Sequence, residues 1–153
     1  MTRRLGLLLV AALVACGGRG TAPSAPGPAS HADALTAFLD AVRRNDLIQV
    51  GRLWGSEKGP AAEWMDAGEL NKRVTVIQIY LNSEVYRVVE GPKPIEGSSR
   101  RMAFHVELRR GDCVVVQQID LVRTDAGGWI VQNVHLGETA VPPACQAGSG
   151  TPG

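Results

Sequence analysis

The periodicity of apolar residues changes once along the chain, near Glu84, and that change constrains the fold more than any other feature. After it, apolar residues recur at every second position, the spacing of a half-buried strand; before it they recur every third or fourth, the spacing of a helix face. From Arg101 to Arg110, Met102, Phe104, Val106 and Leu108 share one face, while Ala103, His105, Glu107 and Arg109 share the other. Gly111-Asp112 marks a turn, Cys113 to Arg123 is the next strand, Asp125-Ala126-Gly127-Gly128 turns again, and Trp129 to Leu136 is the last. Val85 to Glu90 precedes them as a strand ended by Gly91-Pro92-Lys93-Pro94.

Ahead of this stretch, Ser30 and Asp33 have the spacing of a capping box, and Leu35, Phe38, Leu39 and Val42 come next as one helix face. Arg43 and Arg44 suit its last turn, Asn45 suits a left-handed exit, and Asp46 can cap a second short helix that turns Leu47, Val50, Leu53 and Trp54 inward. Gly55 to Gly59 breaks the pattern, Pro60 suits a first helical turn, and Trp64 and Met65 open another apolar face. Residues 70–81 fit two descriptions. Leu70, Val74, Ile77 and Leu81 have helical spacing, yet the run from Val74 to Tyr80 is rich in β-branched residues. We take helix, because no turn signal separates Gly68 from Asn82. Three helices followed by four meandering strands give an α+β fold, with the helices packed on one face of a curved, four-stranded antiparallel sheet.

The chain opens with Arg3 and Arg4, followed by an uncharged run of 11 residues from Leu5 to Ala15. As a helix that run covers only about half of a roughly 30 Å hydrocarbon core, so it reads as an export signal and not as a span. The stretch Leu13-Val14-Ala15-Cys16 at its end resembles the lipobox of bacterial lipoproteins, which implies cleavage before Cys16 and lipid on its thiol. Residues 1–15 are then a signal peptide. Residues 16–30, which lack any large apolar side chain beyond the cysteine, are a tether; 31–145 are a single domain and 146–153 a loose tail. Without Arg3 and Arg4, 14 basic face 15 acidic side chains, which argues against nucleic acid or a polybasic membrane patch as the partner. Attachment falls to the acyl chains. Gly17, not aspartate, in the second mature position favours the outer membrane where two membranes are present.

The helix Ala34 to Arg44, its break at Asn45-Asp46, the second helix with Trp54, and the turn Asp125 to Gly128 feeding Trp129 into the last strand resemble the nuclear transport factor 2-like superfamily. This family contains ketosteroid isomerase-like enzymes and non-catalytic exported domains. The resemblance covers about residues 32–136 and implies a cone with a pocket between sheet and helices, used for catalysis, for ligand binding or only for packing. Tyr80, Tyr86, Asp120 and His105 are of the types such enzymes use, but no spacing ties them into a set.

Read from the residues alone, Asp120 is the best pocket candidate: a carboxylate among Val114, Val116, Ile119, Leu121 and Val122 would have its pKa raised if buried. Strand alternation can equally place it in water beside Gln118. His105 and Glu107 share a face and could form a base with an orienting carboxylate, but that face opposes Phe104 and Val106 and reads as solvated. His135 near Asn133 lacks the further ligands a metal needs, and His31 belongs to the tether boundary. Gly97-Ser98-Ser99 and Gly127-Gly128 do not lie between a strand and a helix, so no phosphate loop, metal or cofactor is expected. With Cys16 acylated, Cys113 and Cys145 form an even pair that an oxidising compartment would join, stapling the tail to a strand end. The expected role is a lipid-anchored envelope domain that binds a small apolar ligand or an envelope protein. An isomerase- or dehydratase-like enzyme and a purely structural protein are the alternatives.

Overall fold

Ser30 starts the first helix as its sequence demands. Its hydroxyl accepts from the Asp33 N–H at 3.0 Å and donates to the Asp33 carboxylate at 2.7 Å. Helix α1 then runs His31–Arg43 and buries Leu35, Phe38, Leu39 and Val42. Asn45 takes the left-handed conformation (φ 56). This exit lets Asp46 turn in and cap α2, Leu47–Leu53, by accepting from the Gln49 N–H at 3.0 Å. The computed structural model describes residues 26–136.

After α2 the chain forms a small hairpin, β1 Gly55–Ser56 and β2 Gly59–Pro60, and a single 3-10 turn, Ala61–Glu63. The apolar face expected at Trp64 and Met65 does not form. Trp64 is 54% exposed, and its indole N–H donates to the Gly59 carbonyl at 3.3 Å. Helix α3 begins beyond it, at Ala67–Leu81, capped by Asp66, whose carboxylate accepts from the N–H groups of Gly68 and Glu69. Residues 70–81 are therefore helical, with Val74, Ile77 and Leu81 buried. At the other end the guanidinium of Arg110 donates to the carbonyls of Ile79 and Asn82, satisfying acceptors that a helix terminus leaves open.

Four strands, β3 Val85–Pro94, β4 Arg101–Arg110, β5 Cys113–Arg123 and β6 Trp129–Val134, form one antiparallel sheet in the order β3-β4-β5-β6. β3 is longer than its alternation suggests because it passes through Gly91-Pro92 without ending. Two register shifts absorb the irregularity. Gly91 has φ +114, and a side chain there would meet the Ala103 carbonyl at 2.8 Å and the Phe104 ring at 2.9 Å. β6 stops two residues earlier than expected.

The three helices pack on this sheet. Phe38, Leu39, Val42, Val74 and Leu81 meet Phe104, Val106, Leu108, Ile119, Leu121 and Val131 in one apolar cluster. Helices α2 and α3 approach closely at Gly51, where even a methyl group would sit 3.3 Å from Leu70. Of the expected tether, residues 26–30 are described, and they run beside the start of β6: the Trp129 N–H donates to the Pro28 carbonyl at 2.9 Å. The expected signal peptide, Cys16, the tail and Cys145 lie outside the described residues.

Candidate functional site

Strand register decides where the polar side chains gather. Phe104 faces Ile119 and Met102 faces Leu121 towards the helices, so the intervening Ala103–Asp120 pair points to the opposite face of the sheet, as do His105–Gln118 and Glu107–Val116. Asp120 thus lies on the side away from the helices, in the same row as Gln118. It is nevertheless only 3% exposed. The expected pocket between sheet and helices does not receive it, and that space is filled by the fully buried side chains of Leu35, Phe38, Leu39, Ile119 and Leu121.

A bulge brings Asp120 its partner. β5 and β6 pair Leu121 with Val131 but Asp120 with Asn133, leaving Gln132 as an extra residue. Before the bulge, Trp129 and Val131 share the helix side; after it Val134 does, and Asn133 and His135 turn outward. His135 Nε2 lies 2.7 Å from Asp120 Oδ2, Gln118 Nε2 donates to Asp120 Oδ1 at 2.9 Å, and an Arg101 guanidinium nitrogen stands 3.9 Å from Oδ2. Asn133 Nδ2 also stands 3.1 Å from His135 Nε2, and the His135 side chain is 44% exposed. Arg101 Nε is buried with no hydrogen-bond partner. The arrangement can hold an oriented imidazole.

His105 is not joined to Glu107. Its Nδ1 lies 2.9 Å from Glu90 on β3, while Glu107 pairs with Arg87 at 2.9 Å. The Lys93 ammonium, with a smaller contribution from His105, holds the Glu90 carboxyl below its ordinary value. Tyr86 lies on the helix side, where its hydroxyl donates to Asp40 at 3.3 Å and Arg43 sits over its ring. Burial, then the Asp40 carboxylate, pushes the phenol above its ordinary range. Tyr80 is half-buried on α3. Tyr80, Tyr86, His105 and Asp120 therefore do not form one constellation. His31 packs its ring against Phe104 and Trp129, at centroid distances of 5.7 and 5.3 Å. Among the described residues no three His, Cys, Asp or Glu side chains converge as a metal site would require.

An apolar concavity lies elsewhere, on the helical surface. Trp54, which leaves α2 in extended conformation and bridges to Val131, meets α3 across an open groove of about 350 Å³ lined also by Glu69, Lys72, Arg73, Val76 and Ile77. Val76 is 44% exposed and Ile79, one turn further, is 48% exposed. The sequence held a signal for it: Val74, Val76, Ile77, Ile79 and Leu81 put apolar side chains on more than one face of the helix, beyond what the core receives.

Comparisons with protein-family models, with curated proteins and with solved structures find no match for this chain.

Proposed function

We propose that this chain is an exported bacterial lipoprotein, anchored through Cys16, whose domain serves in the cell envelope as a non-catalytic binding module for a small apolar ligand or an envelope protein. The observation that carries the binding role is the groove between Trp54 and α3, an open apolar concavity on the helical surface. Ligand sites are concave and mainly apolar with a few polar groups at the rim, and this one has that character. The anchor is supported by the short apolar run, the Leu13-Val14-Ala15-Cys16 stretch and the near-neutral charge of residues 16–153. Among the described residues no helix is long and apolar enough to cross a membrane. We assign the sheet the curvature of the nuclear transport factor 2-like cone; the bulges in β3 and β6, which bend strands, support that assignment. Pairing of Cys113 with Cys145 belongs to the same proposal. It would close a loop of about thirty residues and stabilise by roughly 3–4 kcal/mol in the chain-entropy picture.

The test is in two parts. Membrane fractionation should find the chain with membranes and find Cys16→Ser released from them; unchanged retention sinks the anchor. Native mass spectrometry of the chain purified from the envelope should show a bound small molecule or a co-purifying envelope protein, and a Val76→Asp variant should lose it. Binding that survives Val76→Asp removes the groove from the account.

An isomerase- or dehydratase-like role has one observation in its favour, the imidazole of His135 held by Asp120. Such a base should speed hydrolysis of an activated aryl ester with a rate that falls in Asp120→Asn and His135→Gln. Equal rates in all three proteins would end the catalytic reading.

A further inference from the structure

The groove's rim carries an unbalanced charge, and that imbalance points to a ligand class. Glu69 and Arg73 are one turn apart on α3 and bond to each other, Arg73 Nε to Glu69 Oε1 at 2.7 Å, so they neutralise one another. Lys72, between them in sequence and exposed on the same rim, has no ion-pair partner among the described residues. Below it the floor is Trp54, Val76 and Ile77, and Ile79 continues the apolar exposure along α3. An apolar floor with one uncompensated ammonium at its edge is complementary to a chain of methylenes ending in an anion.

We infer that the groove binds a single-chain anionic amphiphile, a long-chain carboxylate, with the hydrocarbon along Trp54, Val76 and Ile77 and the carboxylate on the ammonium of Lys72. The inference rests on the groove being the binding site and deepens that reading by naming the ligand. A carboxylate so placed gains a charge-assisted hydrogen bond, stronger than a neutral one. The chain gains by removal from water, and each methylene seated on the floor should tighten binding about four-fold. A neutral head would leave Lys72 without its counter-charge. A cationic head would stand against Lys72.

Isothermal titration calorimetry decides it, using the chain from residue 16 onwards with Cys16→Ser, and octanoate, decanoate and dodecanoate below their micellar concentrations. The expected result is saturable binding, tightening about four-fold per methylene until the floor is covered. Lys72→Gln should weaken decanoate binding about ten-fold or more while leaving the increment per methylene unchanged. Val76→Asp should abolish binding, with an unchanged circular dichroism spectrum confirming the fold. If dodecanol and dodecyltrimethylammonium bind as tightly as dodecanoate, or if Lys72→Gln has no effect, the anionic ligand is wrong while the groove remains a binding site. If no amphiphile of any charge binds, the small-ligand reading of the groove falls with the carboxylate, and only the co-purification test with Val76→Asp bears on an envelope protein.

Discussion

The two faces of the sheet are built from the same strands and held by different physics. Leu121 and Asp120 are neighbours on β5, both nearly inaccessible to water. Leu121 joins Phe104, Val106, Leu108 and Ile119 against the helices, an apolar cluster whose stability comes from area removed from water and from close packing. Asp120 is buried on the other side, where burial costs free energy and has to be offset by hydrogen bonds from Gln118 and His135 and by the nearby Arg101. One face tolerates any residue of similar shape. Around Asp120 the other tolerates only residues that keep its donors satisfied, while beside it Val122 and Ile130 are buried as apolar side chains.

That contrast can be broken or sharpened by substitution. The largest effect is expected on the helix face: Leu121→Ala should cost about 2–5 kcal/mol in denaturant unfolding, from lost transfer energy plus a cavity. A loss under about 1 kcal/mol would show that this face is loosely packed. Asp120→Ala should cost about 1.5–3 kcal/mol, since it strands the donors of Gln118, His135 and Arg101, and Asp120→Asn should cost less because it retains an acceptor. A negligible loss in both variants would mean that the network holds nothing. Val116→Thr, at the exposed end of the outer face, should stay within about 0.5 kcal/mol. A larger loss would mean that this end of the face is covered in solution.

The smallest effect concerns pH. The folded-state pKa of Tyr86 is raised by burial and by Asp40, so its contribution is fully present below the unfolded phenol's value near 10 and is lost as pH rises through the folded one. Chemical denaturation of wild type and Tyr86→Phe between about pH 9 and 11.5 should therefore show wild type losing stability relative to the variant above about pH 10. Parallel curves would mean that Asp40 and burial do not act on this phenol.

Much of the helix face was legible in the sequence. Ser30 and Asp46 cap helices where local chemistry says they should, β4 alternates cleanly, and α3 forms because Asp66 supplies a start that outweighs the β-branched run. β3 runs longer than its proline pair predicts, because Pro92 and Pro94 sit on an edge strand whose bulges accommodate them. The outer site was not legible. Plain alternation along β6 puts His135 on the side of Val131, and only the extra residue Gln132 reverses that parity and carries the imidazole to Asp120. A bulge has no period of its own, so no pattern of apolar residues announces it.

The hydrogen bond from Trp129 to Pro28 has a mechanical consequence. If Cys16 is fixed in a bilayer, tension on the chain enters the domain at the corner where β6 begins. Among the described residues, the bond from Trp129 to Pro28 comes before the capped end of α1 on that path. Residues 26–30 would peel away first, adding at most about 17 Å of reach at full extension, while the core carries no load. On that condition the corner would act as a strain relief, yielding before the fold is pulled apart.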